Sequence, residues 1–229
     1  MKTDIIATIG PSSSSLPVLR RMKKTGMDIG RINTKYGTVD EHLKVSEKLK
    51  KIRCRILFDI KALKMVDWLK DKKFDYLAVS FAETSSQIKK IRKMFAPRDI
   101  KIISKIETQK GINNIDSLIK ESDGIMVARG DLGKNISFEK VPLAQKLIIK
   151  RCNENKKMVV TATEMLLSLM HSKMPERSEV SDIANAVLDG SDAVMLSEET
   201  AIGKYPALAV KTMDKVVKET EKQMDKLKR

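Results

Sequence analysis

Short runs of consecutive apolar residues alternate along the chain with longer segments in which apolar residues recur every three or four positions. The first pattern is typical of strands buried on both faces, and the second of amphipathic helices. Eight such pairs follow one another. The predicted strands are residues 4–9, 28–33, 55–59, 74–81, 101–105, 124–128, 158–162 and 193–196, and the predicted helices are 16–25, 39–51, 63–72, 85–95, 112–120, 143–153, 180–188 and 206–226.

Eight consecutive βα units predict a parallel sheet that closes into a (β/α)₈ barrel, a fold for which about 250 residues is typical. The 229 residues of the chain suffice for one such barrel, a single domain over residues 1–229. Barrel enzymes carry their chemistry on the loops after the carboxyl ends of the strands. The polar residues at those ends are therefore the candidate site residues: Arg31, Asn33, Asp59, Lys61, Lys105, Glu107, Arg129, Asp131, Thr163, Ser197 and Glu199.

The segment 102–133 contains two neighbouring predicted strands that both end in charged residues. Lys105 and Glu107 follow the first strand, and Asp131 follows the second within a glycine-rich ending. We expect the carboxylates of Glu107 and Asp131 to face each other and to hold Mg²⁺, which prefers one or two carboxylates together with substrate oxygens. The alternative is a Lys–Glu surface pair beside an ordinary Gly–Asp turn.

The formal net charge of +15 invites a nucleic-acid interpretation. The lysines, however, are scattered in pairs over helix faces, and aromatic residues that could stack on bases make up only 4% of the chain. We therefore expect a solvated, lysine-rich exterior that attracts small anionic substrates, and no nucleic-acid partner.

The two cysteines, Cys54 and Cys152, lie far apart without metal or redox spacing, which favours a reducing compartment. No apolar run approaches the length of a membrane span, and the N-terminus lacks a signal-peptide pattern. We expect a cytoplasmic protein that does not associate with membranes.

Eight motifs give the chain a resemblance to the barrel domain of the pyruvate kinase family. They follow in family order over nearly the whole chain: TIGP (8–11), GM with RIN (26–33), SKIE (104–107), VARGDLG (127–133), VPLAQK (141–146), TATEML (161–166), SDIANAVLDG (181–190) and VMLSEETA (194–201). A set of this length is highly specific.

The resemblance implies a role for each matched residue. Glu107 and Asp131 are implied as ligands of Mg²⁺ or Mn²⁺, and Lys105 and Arg31 as the cations that hold the transferring phosphoryl group of phosphoenolpyruvate. The backbone amides around Ala128, Arg129, Gly130 and Asp131 would bind the substrate carboxylate, and Thr163 would orient the substrate. Ser197 and Glu199 would belong to the route that protonates the enolate. Asn33 and Asp59 correspond to ligands of a monovalent cation, and Asn33 and Tyr36 lie on the nucleotide side.

The sequence departs from the family in four places. The family inserts a lid domain after strand three, and here Asp59 runs within a few residues into Trp68, so we expect no lid. An arginine that helps bind phosphates just after that strand is missing. We also expect no C-terminal regulatory domain. Lys35 and Tyr36 replace a serine and a histidine of the family pattern.

Lysines near the monovalent-cation site change the expected ion requirement. Family members with lysine at the position of Lys64 work without K⁺, and Lys35 brings another ammonium to the neighbouring loop. We expect a fixed ammonium of Lys35 or Lys64 to replace the ion, so that K⁺ is not required. The alternative is that both are surface lysines.

Three hypotheses follow for the function. The first is a minimal, weakly active kinase that converts phosphoenolpyruvate and ADP to pyruvate and ATP with Mg²⁺. The second is a Mg²⁺-dependent lyase that stabilises a pyruvate enolate, such as a 2-oxoacid decarboxylase or aldolase. The third is a barrel that binds phosphoenolpyruvate without turnover. Family barrels associate through their helices, so a homo-oligomer is a further expectation.

Overall fold

The computed structural model describes residues 2–61 and 66–227. Eight parallel strands close into a barrel in which each strand pairs with the next along the chain and β1 pairs with β8. The predicted (β/α)₈ barrel is therefore confirmed. The strands are β1 Asp4–Thr8, β2 Ile29–Asn33, β3 Arg55–Ile60, β4 Tyr76–Val79, β5 Lys101–Ile106, β6 Gly124–Ala128, β7 Met158–Ala162 and β8 Ala193–Leu196.

The helices lie outside the sheet or on its carboxyl-end loops. They are α1 Leu16–Lys24, α2 Val39–Lys51, α3 Ser85–Phe95, α4 Gln109–Asn113, α5 Ile115–Glu121, α6 Arg129–Asn135, α7 Val141–Glu154, α8 Arg177–Leu188, α9 Glu198–Ala201 and α10 Pro206–Leu227. Within the described ranges, no helix combines the length and apolar character needed to cross a membrane.

Two hydrophobic layers hold the barrel together. Side chains that alternate along the strands point into the barrel, where all eight strands contribute to one buried cluster that includes Ile6, Ile29, Leu57, Ile103 and Met126. The intervening strand residues point outward and pack with the apolar faces of the helices. This division explains why the strands read as continuous apolar runs, because both of their faces are buried.

At the amino ends of the strands, the same pair of hydrogen bonds occurs four times. An aspartate just before each even-numbered strand accepts a hydrogen bond from a backbone N–H of the preceding odd-numbered strand, at 2.7–3.0 Å. The N–H of the same aspartate donates to the carbonyl of the same residue, at 2.9–3.0 Å. We call these reciprocal pairs the aspartate latches: Asp28 with Ile5, Asp75 with Ile56, Asp123 with Ile102, and Asp192 with Val159.

The largest departure from the predicted elements lies between β3 and β4. A helix was predicted over residues 63–72, but the described part of this connection contains only a 3₁₀ turn, Asp67–Leu69. Residues 62–65 lie outside the described ranges. An edge-to-face series of aromatic rings packs beside the turn, from Trp68 through Phe58 and Phe74 to Phe95, with centroid distances of 5.4–5.9 Å. The aromatic residues therefore supply bulk where a regular helix was expected.

Arg98 ties this turn to the aromatic series. Its guanidinium lies 5.3 Å from the centroid of the Phe74 ring and donates hydrogen bonds to the carbonyls of Leu69, Lys70 and Lys72. A short turn leaves carbonyl groups without helical partners, and one arginine satisfies three of them.

Smaller differences concern element ends. The helix predicted over residues 112–120 is two helices, α4 and α5, which meet at Asn114, whose side-chain amide donates to the carbonyl of Glu83 at 2.8 Å. Helix α8 begins at Arg177, before the predicted residue 180, because Glu176 and Glu179 form a capping box. The fourth strand is shorter than the predicted 74–81, and α6 and α9 were not predicted as separate helices.

Candidate active site

The candidate site begins where the barrel's interior core ends. Arg31, Asp59 and Lys105 each lie two residues after an interior core residue, namely Ile29, Leu57 and Ile103. Since side chains alternate along a strand, the three polar residues point into the barrel directly above the apolar core. They are almost completely buried, at 6%, 1% and 6% exposure.

Four buried charges form a connected cluster, which we call the charge cluster: Arg31, Asp59, Lys105 and Glu107. Arg31 donates to Asp59 Oδ2 from Nε at 2.9 Å and from Nη2 at 2.7 Å. The Lys105 ammonium lies 3.2 Å from both carboxylate oxygens of Asp59 and 3.0 Å from Glu107 Oε1. Two positive and two negative groups thus neutralise one another in a buried place, as buried charges require.

The two carboxylates of the charge cluster have opposite pKa shifts. Burial alone would raise the pKa of Asp59, but the charges of Lys105 and Arg31 outweigh it and hold the pKa below its ordinary value. Burial raises the pKa of Glu107, and neither the Lys105 ammonium nor the Phe81 amide fully offsets that effect. Asp59 is therefore the firm anionic centre that holds both cations.

The predicted metal ligands have different surroundings. Glu107 is 1% exposed and accepts a hydrogen bond from the Phe81 N–H at 2.6 Å. The side chain of Asp131 is 45% exposed, and its Oδ1 lies 3.1 Å from the ammonium of Lys134. No contact among the described residues joins the two carboxylates, so their facing each other stays a prediction.

A divalent cation nevertheless fits the donor set. Glu107 Oε1 is buried and forms an ion pair with the Lys105 ammonium at 3.0 Å, but it accepts no hydrogen bond from the described residues. Among the described residues, no group of three or more His, Cys, Asp or Glu side chains could hold a metal. One buried carboxylate oxygen and one half-exposed carboxylate match Mg²⁺, which takes its remaining ligands from water and substrate.

Thr163 lies beside Gly130 at the carboxyl ends of β6 and β7. Its hydroxyl accepts a hydrogen bond from the Gly130 N–H at 2.7 Å. Thr163 and the following Glu164 both have left-handed backbone conformations, with φ of 71° and 54°. A left-handed β-branched residue is uncommon and marks strain that the surroundings must maintain. Ala128, at the end of β6, is buried.

The guanidinium of Arg129 is bound by the loop after β7 and by helix α8. It donates to the carbonyls of Thr163 at 2.6 Å and Ala162 at 3.3 Å, and it pairs with Asp182 at 2.7 Å. Only the backbone of Arg129 therefore remains for the predicted role in substrate binding.

The buried residues Ser197 and Glu199 meet where helix α9 begins after β8. Glu199 is fully buried and accepts hydrogen bonds from the N–H groups of Ser197 at 2.6 Å and Leu166 at 2.9 Å. Burial raises the pKa of Glu199 in spite of these bonds. The Ser197 hydroxyl is buried and has no hydrogen-bond partner among the described residues.

The residues predicted for the monovalent-cation site, Asn33 and Asp59, are register partners at the ends of β2 and β3, and the residue predicted for the nucleotide side, Tyr36, follows in the loop after β2. Asn33 Oδ1 accepts from the backbone N–H of Lys35 at 3.1 Å, and Tyr36 is 66% exposed. The Lys35 ammonium lies 5.2 Å from the centroid of the Tyr36 ring, so the structure does not bring it to Asp59. Lys61 is exposed at the end of β3. The prediction for Lys64 lies outside the described residues.

Sequence reasoning missed three polar partners of the site. Ser80 accepts from Lys105 Nζ at 2.9 Å, and Thr8 accepts from Arg31 Nη1 at 2.8 Å. Both follow an inward-pointing strand residue at a spacing of two, so alternation alone could have found them. Asp182, on helix α8, had no such signal.

Comparison with known proteins identifies the family of the chain. The family model "Pyruvate kinase, barrel domain" matches residues 1–65 and 58–210. The chain belongs to the pyruvate kinase family. The two matched segments meet in the connection after β3, where the family resemblance places a lid.

Three individual pyruvate kinases are similar to the chain over part of their own length. A pyruvate kinase of Geobacillus stearothermophilus is 50% identical over 154 residues, which cover 66% of the chain and 26% of that protein. A cytosolic pyruvate kinase isozyme of Glycine max is 47% identical over 163 residues, covering 70% of the chain and 32% of the isozyme. A pyruvate kinase of Thermococcus litoralis is 30% identical over 338 aligned positions, covering 99% of the chain and 71% of that protein. The matches to the first two relatives thus span a quarter to a third of their length.

Proposed function

We propose that the chain transfers a phosphoryl group between phosphoenolpyruvate and ADP in the presence of a divalent cation. The observation that carries the proposal is the charge cluster, in which Asp59 holds the cations of Arg31 and Lys105 side by side at the end of the barrel core. Phosphoryl transfer depends mainly on positioning and on stabilising the negative charge of the transferring group. Two fixed, buried cations suit that requirement.

Each remaining group has a role in this proposal. Glu107 and Asp131 would hold the divalent cation, which when bound supplies positive charge to phosphoryl and enolate oxygens. Thr163 orients the substrate beside the Gly130 amide. Ser197 and Glu199 lie on the route that carries a proton to the enolate carbon.

We propose further that no lid domain lies within this chain and that turnover with ADP is consequently weak. The short path from Ile60 to Asp67 supports this, as does the Thermococcus litoralis alignment, which is longer than the chain and so contains gaps. A closing lid excludes water and adds cations around the nucleotide. Chemistry confined to the barrel should therefore survive better than transfer to ADP.

The test compares two reactions of the same protein with Mg²⁺. We expect pyruvate methyl protons to exchange with D₂O, measured by NMR, and phosphoryl transfer to saturate only at high ADP concentration. Lys105→Met and Asp131→Asn should abolish the exchange. Lys89→Met is the matched control, because Lys89 pairs with Glu121 on the exposed helical surface and should leave the exchange unchanged.

The other outcomes separate the alternatives. Rapid turnover at micromolar ADP without exchange would refute the argument about the lid. Exchange without any turnover would favour an enolate-stabilising lyase. Neither exchange nor turnover would favour a barrel that binds phosphoenolpyruvate without catalysis.

We also propose that K⁺ is not required. Asp59 supports this, because both of its carboxylate oxygens are already in contact with the cations of Arg31 and Lys105. A several-fold rise in the exchange rate when K⁺ replaces a bulky organic cation would contradict this proposal.

We further propose a cytoplasmic homo-oligomer. The Glycine max relative is named a cytosolic isozyme. Phe138, Leu143 and Leu147, at and before α7, are exposed by 82%, 70% and 42%, and large apolar side chains on one surface favour association. A monomeric mass in sedimentation at micromolar concentration would refute the oligomer.

A further inference from the structure

The loop after β7 adopts a conformation that its own residues do not favour. Thr163 and Glu164 are consecutive and both left-handed, with φ of 71° and 54°. A β-branched side chain in this region is disfavoured by its own backbone. Contacts from elsewhere must therefore hold the turn, and they identify the residues that set the position of the Thr163 hydroxyl.

The side chain of Arg129 makes these contacts. Its guanidinium donates to the carbonyls of Ala162 at 3.3 Å, Thr163 at 2.6 Å and Glu164 at 3.3 Å. It also lies 2.8 Å from the sulfur of Met165. One planar group with five N–H donors thus bridges four consecutive residues, a geometry that a lysine ammonium cannot reproduce.

The other side of the guanidinium is anchored in the helical layer. Nη1 donates to Asp182 Oδ1 at 2.7 Å and to Gln145 Oε1 at 3.4 Å. Asp182 lies on α8 and the buried Gln145 on α7. The arginine therefore spans from two outer helices to the left-handed turn.

The segment that contains Arg129 also contacts the left-handed turn through its next residue. The residue after Arg129 is Gly130, whose N–H donates to Thr163 Oγ1 at 2.7 Å. A Cβ on Gly130 would lie 3.4 Å from that oxygen, in ordinary van der Waals contact, so the segment after β6 and the turn lie directly against each other. The backbone of Gly130 thus fixes the hydroxyl while the side chain of Arg129 fixes the carbonyls.

We propose that Arg129 and Asp182 are positioning residues which hold the left-handed turn and thereby place the Thr163 hydroxyl at the substrate position. Arg129 contributes its side chain to the turn and not to the substrate. The inference depends on the proposed function only for the statement that Thr163 contacts substrate, because the contacts themselves require none.

The experiment measures the turn directly and then its effect on substrate. Amide hydrogen exchange of Gly130, followed by NMR, reports the bond to Thr163 without any ligand. In Asp182→Asn and in Arg129→Lys we expect this amide to exchange about tenfold faster or more, while amides of β6 such as Val127 keep their protection. The KM for pyruvate in the proton-exchange reaction should rise in both variants.

Two further variants separate positioning from general damage. Lys146→Gln breaks an ion pair of 2.6 Å to Asp189 that also joins α7 to α8, and it should change neither readout. Glu164→Gly in the Asp182→Asn background should restore part of the Gly130 protection, because glycine adopts positive φ readily. Arg129→Lys, which leaves Asp182 in place, keeps the test valid if Asp182→Asn folds poorly.

Three results would overturn the proposal. Unchanged Gly130 exchange in both single variants would show that Arg129 and Asp182 do not hold the turn. Equal losses of protection at Gly130 and throughout β6 would show a merely structural role, and faster Gly130 exchange with an unchanged KM would show that the turn does not place the substrate. A wild-type protein inactive with pyruvate would refute the proposed function. The Gly130 measurement would still show whether Arg129 and Asp182 hold the turn.

Discussion

Replacing Asp59 by asparagine would test whether the charge cluster depends on one carboxylate. Asp59 receives two hydrogen bonds from Arg31, at 2.9 and 2.7 Å, and contacts the Lys105 ammonium at 3.2 Å. Its side chain is only 2% exposed, so water cannot replace the lost charge. The variant would leave two buried cations with Glu107 as their remaining anion.

Removing one partner of a buried ion pair costs about 3–5 kcal/mol, since the other charge remains without compensation. We expect Asp59→Asn to lower the free energy of unfolding by that amount. A domain of this size loses about 2–4 °C of Tm for each kcal/mol, so the melting temperature should fall by roughly 6–20 °C.

The assay is urea unfolding followed by circular dichroism, with the slope of the transition as the test that the unfolded state is unchanged. Glu47→Gln is the control, because Glu47 pairs with Lys50 at a similar 2.7 Å but on the exposed surface, and its midpoint should not move. Adding Arg31→Met to Asp59→Asn should recover part of the loss, because it removes one stranded cation. A loss below about 1 kcal/mol for Asp59→Asn would refute the reasoning.

Three other predictions concern the remainder of the barrel. Asp123→Ala removes the acceptor of the Ile102 N–H and a 2.8 Å partner of Arg92; we expect urea unfolding to show a loss of about 1–3 kcal/mol, and a smaller loss for Asp123→Asn, which keeps an acceptor. Burial raises the pKa of Cys54 to about 11 and of Cys152 to about 12, so at pH 8 the folded protein should react with a disulfide reagent about 100-fold or more slowly than the unfolded chain. The thiols contribute stability that is complete below their unfolded pKa and is lost as the pH rises toward 11, so alkaline titration should lower the urea midpoint of the wild type more than that of Cys152→Ala. Equal thiol reactivity in the folded and unfolded protein would contradict this assignment.

Strand alternation explains why much of the site could be predicted from sequence. Arg31, Asp59 and Lys105 follow apolar strand residues at a spacing of two, which fixes both their depth and their inward direction once the barrel is assumed. The sequence could not specify what those side chains touch. The distance from Lys105 on β5 to Asp59 on β3 depends on the register of both strands with β4 between them, which is a property of the closed sheet.

The loops explain where prediction failed. The pattern over residues 63–72 is compatible with a helix, but the described residues 66–72 contain the 3₁₀ turn Asp67–Leu69. Trp68 of this turn packs edge-to-face on Phe58, and such tertiary contacts override weak helix propensity. Asp131 follows its strand as expected, and its carboxylate contacts Lys134 within helix α6, a contact that the sequence did not predict. Strand periodicity carries no information on the direction of a side chain in a short helix.

Left-handed backbone conformations show that the two ends of the barrel have different tasks. Arg53 and Lys156, with φ of 52° and 53°, each come just after the end of a helix, α2 and α7. The residue after each donates its N–H to a carbonyl in the last helical turn, Leu49 in one case and Cys152 in the other. These are helix-ending conformations with an evident structural purpose.

The left-handed residues at the carboxyl end have no helix to terminate. Phe81, with φ of 51°, follows β4, and Thr163 and Glu164 follow β7. The Phe81 N–H donates to Glu107, and the Thr163 hydroxyl accepts from Gly130. Strain that serves no element end persists only where surrounding contacts impose it, and here each strained residue contacts a proposed site residue. The strained backbone at the carboxyl end of the barrel thus lies beside the residues proposed for the site.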